Sequence, residues 1–588
     1  MKKDKRQRRL ELWKDRYRRA EEEYAQALAG IKSWWRQYQG DRSVNGKGAP
    51  ATLIRNFTYE LIETQVDNSI PQPKVTSPDS NPRKKHNARV IEEMLRGFIN
   101  TAPFEAMNDE EERIVKAIGG AFRLIGWDSS DSTRSAAGKP YVRTLYPNQV
   151  IPQAGVYDLD SMDYVFVVFS DTKDRLNKRY GVHIDQSEQS ERTIAEDERA
   201  RDANPEEVIL QISAYYINDN GSLGVFSWAG NTVLEDMEEC RARTDKVCKK
   251  CGRSLYGDSR ICVCGSRDFK MTAVDKEEIF EPIVRSDGSV ISPYAPDPED
   301  PRPDKLRRVF LPYYTPKIFP IMLRKNVSCY GKFLGDSDCE KIRDLQTAHN
   351  MLATRLQEKM MKGGSILTLP KGIRIETSDR ESKIVYLDNA AQKNLIDAVS
   401  LQPGIAQDLE MLNKYYEDAR STLGITDSYQ GKDSTRVISG TAKQIEINRA
   451  EGRLESKRKM KQASYEELFR ALFQYMLAYA DEPRTVGVVR IGENAGEELV
   501  FNRYDFLEQD ENGDWYYDDD YVFEVDTSAA NDRQSMWSEI RANFEAGVYG
   551  DRSDIETLKL YWNQLKAQDY PNAANVLTQL EQRTEESL

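Results

Sequence analysis

The residues best suited to chemistry are four cysteines in the stretch CKKCGRSLYGDSRICVCG, residues 248–265. They form a C-x2-C pair and, ten residues later, a C-x-C pair; the four are Cys248, Cys251, Cys262 and Cys264. Two turns that each offer paired thiolates suit tetrahedral zinc, and Gly252 and Gly265 admit the tight backbone. Four thiolates leave no open position on the metal, so the spacing predicts a structural zinc site. Four unrelated reduced thiols are the alternative.

The other cysteines point to a reducing compartment. The chain has seven cysteines, an odd number, and only four are clustered. A disulfide framework would need evenly paired cysteines, so Cys240, Cys329 and Cys339 are predicted to be ordinary free thiols. The basic N-terminus lacks the apolar segment of a secretion signal, and the sequence has no apolar run of about eighteen residues. We therefore expect a protein made and kept in a cytoplasm, without a membrane partner.

Nothing in the sequence marks an enzyme. Its three histidines, His86, His183 and His349, lie in no catalytic motif. His349 lies beside the apolar stripe of a predicted helix, which favours a packed or interfacial side chain. The glycine-rich phosphate loops GxxxxGK[ST] and GxGxxG and the nucleophile elbow GxSxG are absent from the sequence. A chain of 67.5 kDa without a recognisable active site is predicted to be structural.

A basic loop and helix at residues 424–482 reverse the sign of the chain's net charge of −13. The loop GITDSYQGKDSTRVISG runs into about forty residues of strong helix formers, with an N-terminal signal at Ser439-Gly440-Thr441. Between Lys432 and Lys461 nine residues are basic and four are acidic. A solvated helix face is one interpretation of this excess. The other is a flexible loop on a rigid helix that meets a polyanion.

The N-terminal residues 1–39 are predicted to form one helix, because apolar residues recur at spacings of three and four. Ten of the first nineteen residues are basic, so the helix could be a nucleic-acid arm, a solvated helix or a partner-docking helix. The net acidity of the whole chain argues against a protein that coats nucleic acid tightly, since such binding depends on Lys and Arg.

The remaining pattern is α+β and too long for one core. Strands dominate residues 120–330, with the helix SDTKDRLNKRYG among them, predicted to be capped by Ser170 or Asp171. A helix capped by Asp336 or Ser337 then leads to Gly363-Gly364, a small β unit and a returning helix. Strands follow the long basic helix, and helices close the chain.

This order of elements resembles the portal, or head-to-tail connector, protein family of tailed bacteriophages. Several stretches are similar to that family in wording as well as in order, among them GGAFRLIGWD, GDSDCEKIRDLQTAHNMLATRL leading into LTLPKG, and ISGTAKQIEINRAEGR. The resemblance covers residues 50–580. The cysteine cluster departs from it, because many portal proteins lack such a ribbon, and we interpret it as an insertion in the peripheral domain.

The resemblance implies a multidomain α+β portal fold with an α/β wing, helical stem, small α/β clip, long kinked helix and helical crown. The implied boundaries follow the chain: a basic N-terminal helix at 1–49, a wing at 50–335 with the zinc ribbon at 240–270, stem helices at 336–356 and 403–423 around a clip at 357–402, a tunnel loop at 424–440, the long helix at 441–482, the rest of the wing at 483–530 and a crown at 531–588.

The resemblance also implies a function without catalysis. The chain would form a dodecameric ring at one capsid vertex of the virion, a channel through which double-stranded DNA is packaged and ejected. Its partners would be the terminase large subunit, the major capsid and scaffolding proteins and a head-tail adaptor. Lys432 and Arg436 in the tunnel loop would approach DNA phosphates, with Lys443 and Arg449 behind them. The alternative is a zinc-ribbon nucleic-acid-binding or scaffold protein that acts as a monomer or dimer.

Overall fold

A computed structural model describes most of the residues of the chain. They are 2–40, 55–79, 81–101, 103–129, 138–185, 208–241, 243–251, 254–255, 262–274, 276–280, 283–284, 290–291, 308–362, 364–368, 397–401, 405–425, 440–488, 498–510, 512–526, 532–550, 554–567, 570, 573, 576–577 and 580.

The helices range in length from eight to forty residues. They are α1 (Lys2–Gln39), α2 (Phe57–Thr64), α3 (Pro82–Thr101), α4 (Phe104–Ile118), α5 (Lys173–Tyr180), α6 (Asp338–Lys362), α7 (Ala406–Leu423), α8 (Gly440–Tyr479), α9 (Asp532–Glu545) and α10 (Ile555–Ala567). The predicted N-terminal helix and the predicted long helix are both confirmed as continuous elements. Helix α6 runs to Lys362, so the first residues of the segment 357–402 are helical.

The strands are short, and every pair among the described residues is antiparallel. They are β1 (Gln72–Thr76), β2 (Gly120–Asp128), β3 (Lys139–Leu145), β4 (Val150–Ile151), β5 (Tyr164–Thr172), β6 (Val208–Ile217), β7 (Leu223–Ala229), β8 (Thr232–Met237), β9 (Arg243–Cys248), β10 (Ser254–Leu255), β11 (Phe269–Val274), β12 (Lys276–Phe280), β13 (Ile283–Val284), β14 (Val290–Ile291), β15 (Arg308–Pro312), β16 (Ile321–Lys325), β17 (Gly364–Thr368), β18 (Asp397–Leu401), β19 (Arg484–Val488), β20 (Glu498–Phe501), β21 (Leu507–Gln509), β22 (Trp515–Tyr517) and β23 (Val522–Asp526). The chain is thus a mixed α+β, multidomain protein with several small antiparallel sheets.

The first core lies between helix α1 and the five-stranded sheet β4-β5-β6-β7-β8. Trp13 of α1 packs edge-on against Tyr164 and Phe166 of β5, with ring centroids 5.6 and 6.1 Å apart. The helix also pairs with this sheet through its charges, since Arg9 lies 2.8 Å from Asp236. Part of the positive charge of α1 is therefore paired with acidic residues of the same chain. This weakens the interpretation of α1 as a nucleic-acid arm.

The second core joins distant parts of the sequence. It contains α3, the three-stranded sheet β16-β2-β3, the C-terminal half of α8 and strands from residues 498–526. Strand β1 pairs with β23 along its whole length, from Gln72↔Asp526 to Thr76↔Val522. The segments before the helical hairpin and after the long helix therefore build one body.

A helical hairpin leaves this body at α6. The connection is tight, because Gly119 has φ +105° and a Cβ there would lie 2.2 Å from the carbonyl oxygen of Gly335. Ser337 donates its hydroxyl to the carbonyl of Ala117 at 2.6 Å and accepts the backbone N–H of Glu340 at 3.2 Å. Ser337 is thus the N-cap of α6, one of the two residues that the sequence predicted.

Helices α6 and α7 pack side by side, with the antiparallel pair β17–β18 between them in the sequence. Helix α2 covers one side of the hairpin through a small core of Phe57, Leu61, Ile342, Tyr416, Ala419, Leu423 and Ile425. His349 is buried in the same region, with its ring centroid 5.4 Å from that of Phe57. It is a packed histidine, and burial lowers its pKa.

Candidate metal centre and the base of the long helix

The four clustered cysteines lie on a small three-stranded sheet with the order β10-β9-β11. Cys248 is the last residue of β9 and pairs with Phe269, the first residue of β11. The backbone N–H of Lys249 donates to the carbonyl of Asp268 at 3.0 Å and so closes the end of the ribbon. Both cysteine-bearing turns are thereby held at the same end of the sheet.

The second turn explains how the short C-x-C spacing is accommodated. Gly265 has φ +78°, and its N–H donates to the carbonyl of Cys262 at 2.8 Å. A residue with a Cβ is strained in this left-handed conformation. Val263, between the two cysteines, is 86% exposed while Cys262 is buried. The turn therefore directs the valine outward and leaves the thiols on either side free to face the cluster.

The four sulfur atoms have the separations that a tetrahedral metal requires. All four lie within 4.8 Å of one another, with 3.6 Å between Cys248 and Cys264 and 3.4 Å between Cys251 and Cys262. Zinc–sulfur bonds of about 2.3 Å in a tetrahedron place the sulfurs about 3.8 Å apart. The residues present therefore fit a zinc ion.

The pKa values of the two buried thiols of the cluster shift in opposite directions. Burial and hydrogen bonds with the other cysteine side chains raise the pKa of Cys262 to about 12. Hydrogen bonds from the backbone N–H groups of Cys251 and Lys250 lower the pKa of Cys248 to about 6. A thiolate at this position is available at neutral pH, and the thiolate is the form that binds metals. Two of the four ligands, Cys248 and Cys262, are buried while the other two are exposed. Cys240, Cys329 and Cys339 are free thiols in the structure.

The residues proposed to approach DNA are only partly within the described chain. Lys432 and Arg436 lie between 425 and 440, outside the described residues. Lys443 and Arg449 lie in the first turns of α8.

Two other basic residues of the same helix are bound to the body of the protein. Lys457 contacts Asp338 at 2.5 Å and Gln65 at 2.7 Å. Lys461 is 3% exposed and lies 3.1 Å from Glu112 and 3.2 Å from Asp67. The basic excess counted along the sequence thus includes two charges that are neutralised inside the fold.

These lysines belong to a buried network of charges under α8. Glu112 contacts Lys116 and Arg324, and Glu111 pairs with Arg324 at 3.2 Å. Burial tends to raise the pKa of Glu112, but the charges of Arg324, Lys116 and Lys461 hold it well below its ordinary value. Because a charge buried without a partner is very unfavourable, each member of this network depends on the others.

Arg123 on β2 completes the attachment of the long helix. It is 2% exposed and contacts both carboxylate oxygens of Glu111 at 2.8 Å. The same guanidinium donates to the hydroxyl of Ser464 at 3.0 Å and lies 4.2 Å from the ring centroid of Tyr465. The helix is therefore fixed by ion pairs at Lys457 and Lys461, by a hydrogen bond at Ser464 and by apolar packing beyond them.

Comparison with known proteins leaves the family of the chain open. No protein-family model matches the sequence, and no curated protein matches it. Among the described helices, none combines the length and the apolar character needed to cross a membrane.

Proposed function

We propose that this chain is the portal protein of a tailed bacteriophage, a non-enzymatic subunit of a dodecameric ring at one capsid vertex. The observation that carries the proposal is the order α6, the strand pair β17–β18, α7 and then the forty-residue α8, all mounted on one α+β body. This is the arrangement of stem, clip, returning stem and long helix that the sequence resemblance implies.

The mounting of α8 supports a role for the loop before it. The helix is bound to the body through Lys457 and Lys461, and the loop precedes the N-terminal end of the same helix. Residues 424–440, with Lys432 and Arg436, connect this end to α7. In a ring the loop is repeated around the axis, and a few basic side chains from each subunit form a collar that touches DNA phosphates.

The overall acidity of the chain supports passage of DNA, not tight binding. A net charge of −13 disfavours retention of a polyanion along the channel wall. A wall that is mainly repulsive, with few basic contacts, lets double-stranded DNA slide. The same channel then serves packaging by a terminase that docks at residues 357–402 and ejection through a head-tail adaptor.

The zinc ribbon has a structural role in this proposal. The four clustered cysteines support this role because their separations suit zinc, and a metal bound by four cysteines supplies folding free energy and no chemistry. The ribbon is an insertion in the wing, the part expected to face the capsid and scaffolding proteins. The protein is made in the host cytoplasm and ends in the virion.

One observation favours a second candidate function, a zinc-ribbon protein that binds nucleic acid as a monomer or dimer. Lys249, Lys250 and Arg267 are exposed around the cysteine cluster, and among the described residues none of the three forms an ion pair. Basic side chains around a zinc ribbon can contact phosphates. In that case the ribbon, and not a ring, would be the functional surface.

Particle size separates the two functions. Native mass spectrometry and negative-stain imaging of the purified protein are expected to show closed rings with a central channel. A chain that remains monomeric or dimeric over a range of salt and protein concentrations would contradict the portal function. A monomer that binds DNA, and loses this binding when Lys249, Lys250 and Arg267 are changed to Glu, would support the second candidate.

A further inference from the structure

We propose that the four-cysteine cluster is also an oxidation site, at which peroxide converts the metal-binding thiols into two disulfides and releases zinc. The disulfides join Cys248 to Cys264 and Cys251 to Cys262. This inference rests on the proposed function, because it concerns the zinc ribbon of a protein that is made in a cytoplasm and ends in a virion outside the cell.

Each exposed cysteine of the cluster lies against a buried cysteine of the other turn. The Sγ atom of the exposed Cys264 lies 3.6 Å from that of the buried Cys248. The Sγ atom of the exposed Cys251 lies 3.4 Å from that of the buried Cys262. Cysteines that react with oxidants are ordinarily exposed and lie next to a second cysteine that completes a disulfide. The cluster contains two such pairs.

The geometry favours bonds between the two turns over bonds within them. A disulfide is about 2.05 Å long, so the two sulfurs of each pair need to approach by only about 1.5 Å. A bond between Cys262 and Cys264 would instead close a ring of three residues. So short a ring leaves a disulfide strained, and a strained disulfide is easily reduced.

The disulfides would hold the same part of the ribbon as the metal. Cys248 ends β9 and pairs with Phe269 at the start of β11. A bond from Cys248 to Cys264 keeps the second turn at this end of the sheet, and a bond from Cys251 to Cys262 closes the ten residues between them. Disulfides stabilise a fold chiefly by restricting the unfolded chain. The oxidised ribbon therefore stays folded without zinc.

The reaction balances with hydrogen peroxide as the oxidant. The sulfur of an exposed thiolate attacks one peroxide oxygen, the O–O bond breaks, and the hydroxide that leaves takes up a proton to become water. The neighbouring buried thiolate attacks the resulting sulfenic acid, whose hydroxyl group leaves and becomes a second water with another proton. Each disulfide thus takes two electrons from two thiolates and reduces one peroxide. Zinc leaves because the thiolate, and not the disulfide, binds the metal.

The two states suit the two surroundings of the protein. Thiols stay reduced in a cytoplasm, where the ribbon holds zinc, whereas disulfides form and persist in oxidising surroundings. A ribbon that exchanges its metal for two disulfides keeps one fold in both. Cys240, Cys329 and Cys339 lie outside the cluster and are not part of this exchange.

Peptide mapping after oxidation tests the pairing. Zinc-loaded wild-type protein is treated with hydrogen peroxide, alkylated and digested with trypsin, which places the four cysteines on the peptides 247–249, 251–253 and 261–267. The proposed pairing links all three peptides into one species, and fragmentation should show Cys264 bound to peptide 247–249. Disulfides within the turns would leave peptide 261–267 separate, with an internal bond.

Metal release and protection of the sheet are measured on the same sample. A metallochromic dye is expected to detect one zinc released per chain as the disulfides form, and dithiothreitol with added zinc should reverse the loss. Chelation of the reduced protein should speed amide hydrogen exchange in β9 and β11 at least about tenfold, whereas exchange in the oxidised protein should stay slow.

Two variants provide the controls. Cys329→Ser removes a partly exposed thiol outside the cluster and should form both disulfides. Cys264→Ser removes one exposed thiol of the cluster and should form only the bond between Cys251 and Cys262.

The contrary outcomes are separate from those of the portal function. Disulfides within the turns, sulfonic acids in place of disulfides, or cluster thiols that stay reduced at peroxide concentrations that oxidise Cys329 would overturn the oxidation site. Wild-type protein without zinc would remove the metal site and with it the release step. A chain that forms no rings would contradict the portal function and would leave the measured pairing unchanged.

Discussion

Lys457 on the long helix α8 lies 2.5 Å from Asp338, the first residue of α6. The Asp338 side chain is 1% exposed and that of Lys457 is 14% exposed. One ion pair thus ties the helix that follows the 424–440 loop to the helix that begins the hairpin. A displacement of either helix relative to the body disturbs this contact, so the two elements are coupled at their bases.

Removal of the charge of Lys461, one turn beyond Lys457 on α8, is expected to destabilise the body of the protein. Lys461→Met deletes the charge that faces Glu112, whose side chain is 1% exposed, and leaves the carboxylate with fewer partners. Breaking one partner of a buried charge network costs about 3–5 kcal/mol of unfolding free energy. Chemical denaturation followed by tryptophan fluorescence measures this loss.

A matched control lies half a turn away on the same helix. Lys459 pairs with Glu455 at 3.0 Å, but their side chains are 68% and 55% exposed. Lys459→Met is expected to change the unfolding free energy by less than about 1 kcal/mol, because surface ion pairs contribute little. Equal losses in the two variants would show that the buried network does not stabilise the fold.

The same network predicts sensitivity to acid. The pKa of Glu112 is held below its ordinary value in the folded protein, so its contribution to stability is present above the unfolded pKa of about 4.3. It is lost as the pH falls below that value toward the folded pKa. The unfolding free energy of the wild type is therefore expected to decrease steeply below about pH 4.3.

Glu112→Gln provides the comparison for the acid effect. Glutamine cannot be charged, so the variant should be less stable at neutral pH and should show a shallower decrease in stability below about pH 4.3. Thermal melts between neutral and acidic pH give both quantities. Parallel curves for the two proteins would assign the acid sensitivity to other carboxylates.

Local patterns were sufficient for much of the fold. The cysteine cluster was predicted because its cysteines are separated by only a few residues within each turn. Ser337 was one of two predicted caps, because a cap lies next to its helix. The cap of α5 was predicted wrongly at Ser170 or Asp171. It is Thr172, whose side chain accepts the N–H of Arg175, because strand β5 continues through residues 170–172 and delays the helix.

The buried charge network under α8 could not be predicted from local sequence patterns. Lys457 and Asp338 are 119 residues apart in the sequence, and Lys461 and Asp67 are 394 apart. Charged residues on a helix are ordinarily solvated, so periodicity gives no sign that these lysines are bound. Their partners lie on α4, at the start of α6 and in the segment between α2 and β1, which only the tertiary fold brings next to the long helix. The count of basic residues between Lys432 and Lys461 therefore overestimates the unpaired positive charge near the loop.

Metal analysis tests the ribbon. Protein purified without chelators is expected to contain one zinc per chain by elemental analysis, and Cys262→Ser should lose it because the cluster then has three thiols. Cys329→Ser alters a free thiol outside the cluster and serves as the control. Wild-type protein without zinc would leave the cluster as four reduced cysteines.

Zinc removal should affect the wing beyond the ribbon. Strand β11 of the ribbon is followed almost directly by β12, where Glu277 lies 2.6 Å from the buried Arg503. Chelation is expected to increase amide hydrogen exchange in β9 and β11 first and in β12 to a smaller extent, because the metal holds the ends of these strands. Strand β6, in the other core, should exchange as before.

The loop at residues 424–440 is expected to contact DNA without contributing to ring assembly. Replacement of both Lys432 and Arg436 by Ala removes the basic side chains nearest the predicted channel axis, while the anchored part of α8, from Lys457 onward, is unchanged. Ring assembly should therefore persist, and packaging or retention of DNA should fall because the transient phosphate contacts are lost. Lys459→Ala removes an exposed cation outside the loop and should package DNA normally. If the loop variant packages and retains DNA as well as this control does, the basic residues of the loop are a solvated surface.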